Sequence, residues 1–111
     1  KKVVCIDQNY HCGNFIKKTI NNLNCKQVTV FKNDVFKYLK QYNQPFDIIF
    51  ADPPYNLEET TQIPNLVFQN ELLNKNGWLI IEHDKNTDLS SHSNFLTLRK
   101  YGNVNFSIFQ N

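Results

Sequence analysis

The sequence predicts an α/β fold with a mostly parallel sheet, and two patterns support that fold class. Short apolar runs alternate with segments whose apolar residues recur at helical spacing, the strand–helix–strand order that builds parallel sheets. The last apolar segments are separated by Gly102-Asn103, which predicts a closing antiparallel hairpin. At 111 residues, the chain is predicted to be one domain, residues 1–111, with a single core.

The N-terminal third predicts a strand, a helix and a second strand. Residues 3–6 are a nearly all-apolar strand that ends at Asp7, and residues 28–31 are a β-branched and aromatic strand. Residues 9–24 between them are predicted to be helical. The apolar residues at helical spacing are Phe15, Ile16, Ile20 and Leu23.

The middle of the chain repeats this order. Asp34 precedes a short amphipathic helix over residues 35–42, and residues 46–51 form a third strand. Its unbroken apolar character favours a strand covered on both faces. Pro64 is suited to the first turn of a helix that runs to about residue 74.

The C-terminal third predicts three more strands. Asn76-Gly77 indicates a turn, and residues 78–82 form a fourth strand. A polar loop leads to residues 95–101, and the final strand covers residues 104–109, where apolar and polar residues alternate.

Composition excludes few function classes. The net charge of +2 does not by itself indicate a nucleic-acid-binding protein, and the lysines are scattered. No apolar run approaches the roughly 20 residues of a membrane span. Cys5, Cys12 and Cys25 lack CxxC spacing, and His11 beside Cys12 has no second ligand pair, so we predict neither a disulfide framework nor a metal site. Reduced thiols favour a cytoplasmic protein.

Three acidic residues follow three successive predicted strands: Asp7, Asp34 and Asp52. Ligands of parallel sheets bind beyond the carboxyl ends of the strands. Asp7 is suited to accept hydrogen bonds from ribose hydroxyls, and Asp34 with the Val35 amide is suited to an adenine ring. The alternatives are a helix cap at Asp34 and a solvated strand end at Asp7.

The stretch FDIIFADPPYN has two interpretations. It is either a simple turn or a strand tip that presents Asp52, Pro53 and Tyr55 to a ligand. The preceding apolar strand favours the strand tip, because ligands of such sheets bind beyond the carboxyl ends of the strands.

FADPPY after an apolar strand resembles motif IV of the S-adenosylmethionine-dependent amino methyltransferases. With VVCIDQN, NDVFKYL, GWLIIEHD and YGNVNFSIF, the chain resembles from end to end the RsmD family of bacterial small-subunit (16S) ribosomal RNA guanine-N2 methyltransferases. The resemblance implies a Rossmann-like class I methyltransferase sheet. It also implies S-adenosylmethionine as cofactor, and small-subunit ribosomal RNA or its ribonucleoprotein particle as partner.

The resemblance also implies roles for single residues. Asp52 and the Pro53 carbonyl would accept the two hydrogens of the target amine, Pro54 would help to rigidify the loop, and Tyr55 would stack on a flipped base.

For the cofactor, the resemblance implies that Asp7 holds the ribose and that Asp34 with the Val35 amide holds the adenine. Glu82 and His83 end the following strand and are expected to line the site at most.

The chain also departs from the family pattern. The family has a first strand and a Gly-rich loop ahead of the position of Lys1, so we interpret the chain as N-terminally truncated. The central strand, between those that end at Asp7 and Asp52, would then be missing. We expect weak cofactor binding by these residues alone and self-association through the unpaired strands.

Other functions remain open. A DNA adenine-N6 or cytosine-N4 methyltransferase shares the DPPY chemistry but would usually carry a target-recognition domain. A protein-glutamine methyltransferase typically has Asn where this chain has Asp52. A non-catalytic RNA-binding or assembly module is the alternative from another class.

Overall fold

The computed structural model describes residues 1–55 and 58–111. Strands and helices alternate along the first two thirds of the chain, which confirms the predicted α/β class. The elements are β1 (Val3–Asp7), α1 (Tyr10–Leu23), β2 (Val28–Lys32), α2 (Val35–Gln41), β3 (Phe46–Ala51), a 3-10 helix (Glu58–Thr61), α3 (Gln62–Gln69), β4 (Leu73–His83), β5 (Phe95–Tyr101) and β6 (Val104–Gln110).

The chain divides into two compact units, Lys1–Gln41 and Tyr42–Asn111. In the first unit, β1 and β2 pair in parallel, as predicted. The α1 helix that connects them begins after Asn9, whose side chain accepts a hydrogen bond from the Cys12 amide at 3.1 Å. It ends at Asn24, which takes the left-handed conformation common at helix C-termini.

The apolar face predicted for α1 is present but only partly buried. Ile16 and Ile20 are half-buried, whereas Phe15 and Leu23 remain largely exposed. The helical spacing therefore predicted the helix correctly, although part of its apolar face stays open to solvent.

The second unit contains a four-stranded sheet in the order β3-β4-β6-β5. The β3 and β4 strands are parallel, and β6 runs antiparallel to both β4 and β5. The predicted closing hairpin is confirmed, with Gly102 at its turn in a left-handed conformation (φ 62°).

The core of the second unit lies on one face of this sheet. Its fully buried side chains come from α3, β4 and β6 and include Ile63, Val67, Leu79, Ile81 and Phe109. The Phe109 ring contacts three further rings, with centroids 5.7 Å from His92, 5.7 Å from Phe95 and 6.4 Å from Phe68. The His92 and Phe95 rings meet Phe109 edge to face, an arrangement that adds to the stabilisation from apolar burial.

The prediction that β3 is covered on both faces was wrong for the described residues. Ile49 and Ala51 point towards the core side, but Ile48 is 64% exposed and Phe50 is 58% exposed. Apolar composition reports that a side chain is suited to burial. It does not show that another helix or strand of the described residues packs against that side chain.

The predicted boundary between α3 and β4 was also wrong. The helix ends at Gln69 instead of about residue 74, because Glu71 takes a left-handed conformation (φ 53°) and turns the chain into β4. The predicted turn at Asn76-Gly77 lies inside β4, where the register with β3 shifts. A side chain at Gly77 would lie 2.8 Å from the Asn74 carbonyl oxygen, so a glycine is required there.

We expect Phe109→Ala to lower the free energy of unfolding by about 3–5 kcal/mol, because it removes a fully buried ring. Phe50→Ala removes the same ring from an exposed position and serves as the matched control, with an expected loss below about 1 kcal/mol. Urea unfolding of the intact gene product measures both. Equal losses for the two variants would contradict the assignment of the core to one face of the sheet.

Candidate active site

Two acidic side chains meet at the carboxyl end of the parallel pair β3 and β4. Ala51 pairs with Ile81, so the next residues, Asp52 and Glu82, leave the two strands side by side. Asp52 is exposed and Glu82 is half-buried. The parallel register therefore brings together two carboxylates that lie 30 positions apart in the sequence.

Tyr55 joins this pair from the loop after β3. Its Oη donates a hydrogen bond to Glu82 Oε1 at 3.4 Å, a long contact, and the residue is 44% exposed. The aromatic ring is consequently held near the strand ends while much of its surface is available to a ligand.

The electrostatics of this cluster, Asp52, Tyr55 and Glu82, favour the protonated forms of Glu82 and Tyr55. Desolvation is the main cause of the raised Glu82 pKa, followed by the hydrogen bond and the negative charge of Asp52. The Tyr55 pKa is raised by desolvation first and then by the charges of Glu82 and Asp52. The Tyr55 phenol therefore remains a hydrogen-bond donor at neutral pH.

The two prolines give the loop more backbone hydrogen-bond acceptors than donors. Pro53 and Pro54 have no backbone N–H, so this segment offers carbonyl acceptors without the matching donors. Together with the Asp52 carboxylate, the loop is suited to a ligand that carries several N–H groups.

His83 ends β4, but its side chain stabilises the sheet. Its side chain is buried on the face opposite to Glu82, since successive residues of a strand alternate. The Nδ1 atom lies 2.7 Å from the Asp84 carbonyl oxygen, which only accepts, so Nδ1 carries the proton. The Nε2 atom then accepts from the Ser107 hydroxyl at 2.7 Å, which links the end of β4 to β6.

In the first unit, Asp7 and Asp34 lie at the carboxyl ends of β1 and β2. The Asn33 amide donates to the Asp7 carbonyl oxygen at 3.2 Å, which joins the two strand ends. Asp34 Oδ1 accepts from the Phe36 amide at 2.8 Å and the Lys37 amide at 3.4 Å. The helix-cap alternative for Asp34 is thus present in the structure.

The Asp7 side chain turns the chain towards α1. Its Oδ1 accepts from the Asn9 amide at 2.7 Å, and the residue is half-buried. The Val35 residue beside Asp34 is also half-buried and opens α2. The cofactor roles of Asp7, Asp34 and Val35 stay predictions.

Glu82 is the residue that sequence reasoning undervalued. The available signal was that it closes a strand, as Asp52 follows one, and parallel strands end at one edge. Among residues 1–55 and 58–111, no group of three His, Cys, Asp or Glu side chains is placed to hold a metal ion. Within the same ranges, no helix has both the length and the apolar character to cross a membrane.

Solved structures share this fold. A protein from Haemophilus influenzae described as a methylase is 31% identical, with a TM-score of 0.88, and the match covers 100% of this chain and 73% of that one. An RNA methyltransferase from Salinibacter ruber, solved with S-adenosylhomocysteine, has a TM-score of 0.70 at 12% identity over 98% of this chain and 65% of that one.

The sheet order, with acidic residues after its parallel strands, defines a class I methyltransferase fold. Residues 1–110 match the family model described as Conserved hypothetical protein 95. The chain belongs to this family, the RsmD family, as the sequence resemblance predicted.

A curated relative supports the same membership. The ribosomal RNA small subunit methyltransferase D of Haemophilus influenzae is 31% identical over 117 aligned positions, which cover 100% of this chain. The chain spans 61% of the length of that relative.

We expect Asp52→Asn to lower the pKa of Glu82, because the substitution removes the neighbouring negative charge. The raised pKa of Glu82 also determines the direction in which the stability of the folded protein changes with pH. Ionisation of Glu82 costs the folded state more than the unfolded state, so its stabilising contribution is lost as the pH rises through the Glu82 pKa. Carboxyl ¹³C NMR titration measures the pKa. Glu71→Gln, in the turn before β4, is the matched control, and an unchanged Glu82 pKa in Asp52→Asn would contradict the contact.

Proposed function

We propose that the intact protein transfers a methyl group from S-adenosylmethionine to the exocyclic N2 amine of a guanine in small-subunit ribosomal RNA. Family membership and the names of the curated relatives support ribosomal RNA as the substrate. The observation that carries the proposal is the exposed Asp52 carboxylate, which is followed by two prolines at a strand tip and joined by Glu82 and Tyr55.

The chemistry explains why acceptors are needed. The guanine N2 lone pair is delocalised into the ring, so the amine is a weak nucleophile. Asp52 and the Pro53 carbonyl would accept its two N–H bonds, favour a pyramidal nitrogen and direct the lone pair at the methyl carbon. When bound, the cofactor supplies an electrophilic methyl group on a sulfonium centre.

Proton removal needs no strong base. The nitrogen becomes acidic as the new C–N bond forms, and the electron pair of the broken C–S bond stays on sulfur. The proton can then pass to the Asp52 carboxylate or to water. Fixed acceptors, rather than a residue with a matched pKa, are the main requirement of the site.

The Tyr55 ring would supply the surface on which the target base stacks. Its exposure at the strand tip fits this role, and a base–aromatic stack is worth about 1–3 kcal/mol. A paired base cannot reach such a site, so the guanine must be single-stranded or flipped out of a helix.

Asp7, Asp34 and the Val35 amide would supply the cofactor contacts. A carboxylate has about four lone-pair directions, so Asp7 and Asp34 retain acceptor capacity beyond their hydrogen bonds to backbone amides. Asp7 would accept from the ribose hydroxyls, and Asp34 with the Val35 amide would hold the adenine.

The reaction would take place in the cytoplasm, where ribosomal subunits are assembled.

Cells that lack the gene test the main proposal. We expect their small-subunit ribosomal RNA to lose N2-methylguanosine, measured by mass spectrometry of nucleosides, and the wild-type gene to restore it. Asp52→Ala should lower the methylation rate about 100-fold or more, because it removes one of the two amine acceptors. Tyr55→Ala should lower it about 10- to 100-fold through loss of stacking.

The matched control for these variants is Glu71→Gln, which changes an exposed acidic residue before β4 and should methylate normally. Loss of N6-methyladenine or N4-methylcytosine from DNA, with ribosomal N2-methylguanosine unchanged, would contradict the proposal.

Cofactor binding by residues 1–111 alone is a separate prediction. Among the described residues, β1 pairs only with β2 and β3 pairs only with β4, so each has an unpaired edge. We expect S-adenosylmethionine to bind this chain with a dissociation constant weaker than about 1 mM, near the lower limit of measurable affinity in calorimetry. Sedimentation should show self-association through these edges. Micromolar binding by a clean monomer would contradict both statements.

A further inference from the structure

The half-buried Glu82 carboxylate has no role in the amine contacts described above, yet it lies beside the acceptor of that amine. The pairing of Ala51 with Ile81 places it next to Asp52, and Tyr55 donates to its Oε1 atom. A ligand whose amine is held by Asp52 would therefore present its neighbouring ring atom to Glu82.

We infer that Glu82 selects guanine, by accepting a hydrogen bond from the guanine N1–H while Asp52 and Pro53 hold the N2 amine. This inference rests on the proposed function and adds the group that decides which base is methylated. Its basis is the juxtaposition of two acceptors at adjacent strand ends, with the Tyr55 hydroxyl bonded to one of them.

The bases differ at the atoms that flank their amines. In guanine, the N2 amine adjoins N1–H, so two neighbouring groups donate. In adenine the N6 amine adjoins N1, and in cytosine the N4 amine adjoins N3, and each of these ring nitrogens carries a lone pair. An ionised carboxylate beside Asp52 would bind the guanine edge and repel the other two, so it discriminates by repulsion as well as by attraction.

Glu82 has the capacity for this bond. Tyr55 uses one lone-pair direction of the carboxylate, at the long distance of 3.4 Å, and a carboxylate offers about four. A hydrogen bond from N1–H to an ionised group is stronger than one between neutral groups. The Tyr55 hydroxyl would orient the carboxylate while its ring contacts the base.

The ionisation state of Glu82 makes the selection dependent on pH. The groups that act on Glu82 are Asp52, which follows β3, and Tyr55 in the loop after it. Asp84, which follows β4, acts on Tyr55. The β6 residue opposite Glu82 is Phe106, which does not titrate. Because desolvation and the neighbouring Asp52 both disfavour its charged form, Glu82 ionises at a higher pH than an ordinary glutamate. The selectivity for guanine should rise with pH through that ionisation.

The test compares guanine with 2-aminopurine at the target position of a ribosomal RNA substrate. Both bases carry an amine at C2, but N1 of 2-aminopurine has a lone pair and no proton. We expect wild-type intact protein to prefer guanine about 10- to 100-fold in kcat/KM, as for a hydrogen bond to a charged group. Glu82→Gln should reduce this preference to about 3-fold or less, because an amide can either accept from N1–H or donate to a bare N1.

Two controls keep the result interpretable. Glu71→Gln should retain the wild-type preference for guanine. Calorimetry with S-adenosylmethionine should show unchanged cofactor affinity in Glu82→Gln, which establishes that this variant is folded. The rise of the guanine preference with pH should be present in wild type and absent in Glu82→Gln.

The outcomes separate this inference from the proposed function. If wild type forms N2-methylguanosine and folded Glu82→Gln keeps the full preference for guanine, the role of Glu82 is overturned and the proposed function stands. If wild type methylates no guanine, both are overturned. A preference that collapses only in Glu82→Gln supports both.

Discussion

The parallel register between β3 and β4 is the constraint on which the candidate site depends. Both strands run in the same direction, so the chain leaves both at one edge, and Asp52 and Glu82 become neighbours because Ala51 pairs with Ile81. A shift of one residue would move every β4 side chain to the opposite face. Leu79 and Ile81 would then leave the core, so the burial of these two residues fixes the position of Glu82.

The alternation of side chains along β4 gives the consecutive residues Glu82 and His83 different roles. Glu82 points to the open side of the sheet, and His83 points to the closed side, where its two ring nitrogens are engaged by Asp84 and Ser107. A buried, fully hydrogen-bonded histidine holds one orientation, because any rotation would leave polar atoms unsatisfied. The strand end that carries Glu82 is thereby anchored to β6, so the carboxylate is placed by rigid elements.

The sequence was informative wherever local chemistry determines local structure. The strand at residues 46–51 and the hairpin around Gly102 follow from apolar runs and turn residues, and the structure agrees with both. The turn residues Asn76-Gly77 mark an irregularity inside β4 instead of its start, since Asn76 takes a left-handed conformation (φ 64°) and the register with β3 shifts there. The glycine is required because β4 passes close to the Asp47 carbonyl of its neighbour. The exposure of Ile48 and Phe50 could not be predicted either, since composition does not show which face of a strand is covered.

The sequence places Glu82 at a strand end, but its contact with Asp52 depends on the register between β3 and β4, which only the structure shows. The electrostatics then restrict what the strand ends can bind. Two adjacent carboxylates repel phosphate, so this edge is unsuited to the backbone of a nucleic acid and suited to the donors on the edge of a base. Desolvation and the neighbouring Asp52 raise the pKa of Glu82, and shifted pKa values of this kind are concentrated at functional sites. The loop has the same preference for hydrogen-bond donors over anions. Pro53 and Pro54 contribute carbonyl acceptors but no backbone N–H that could bind an anion.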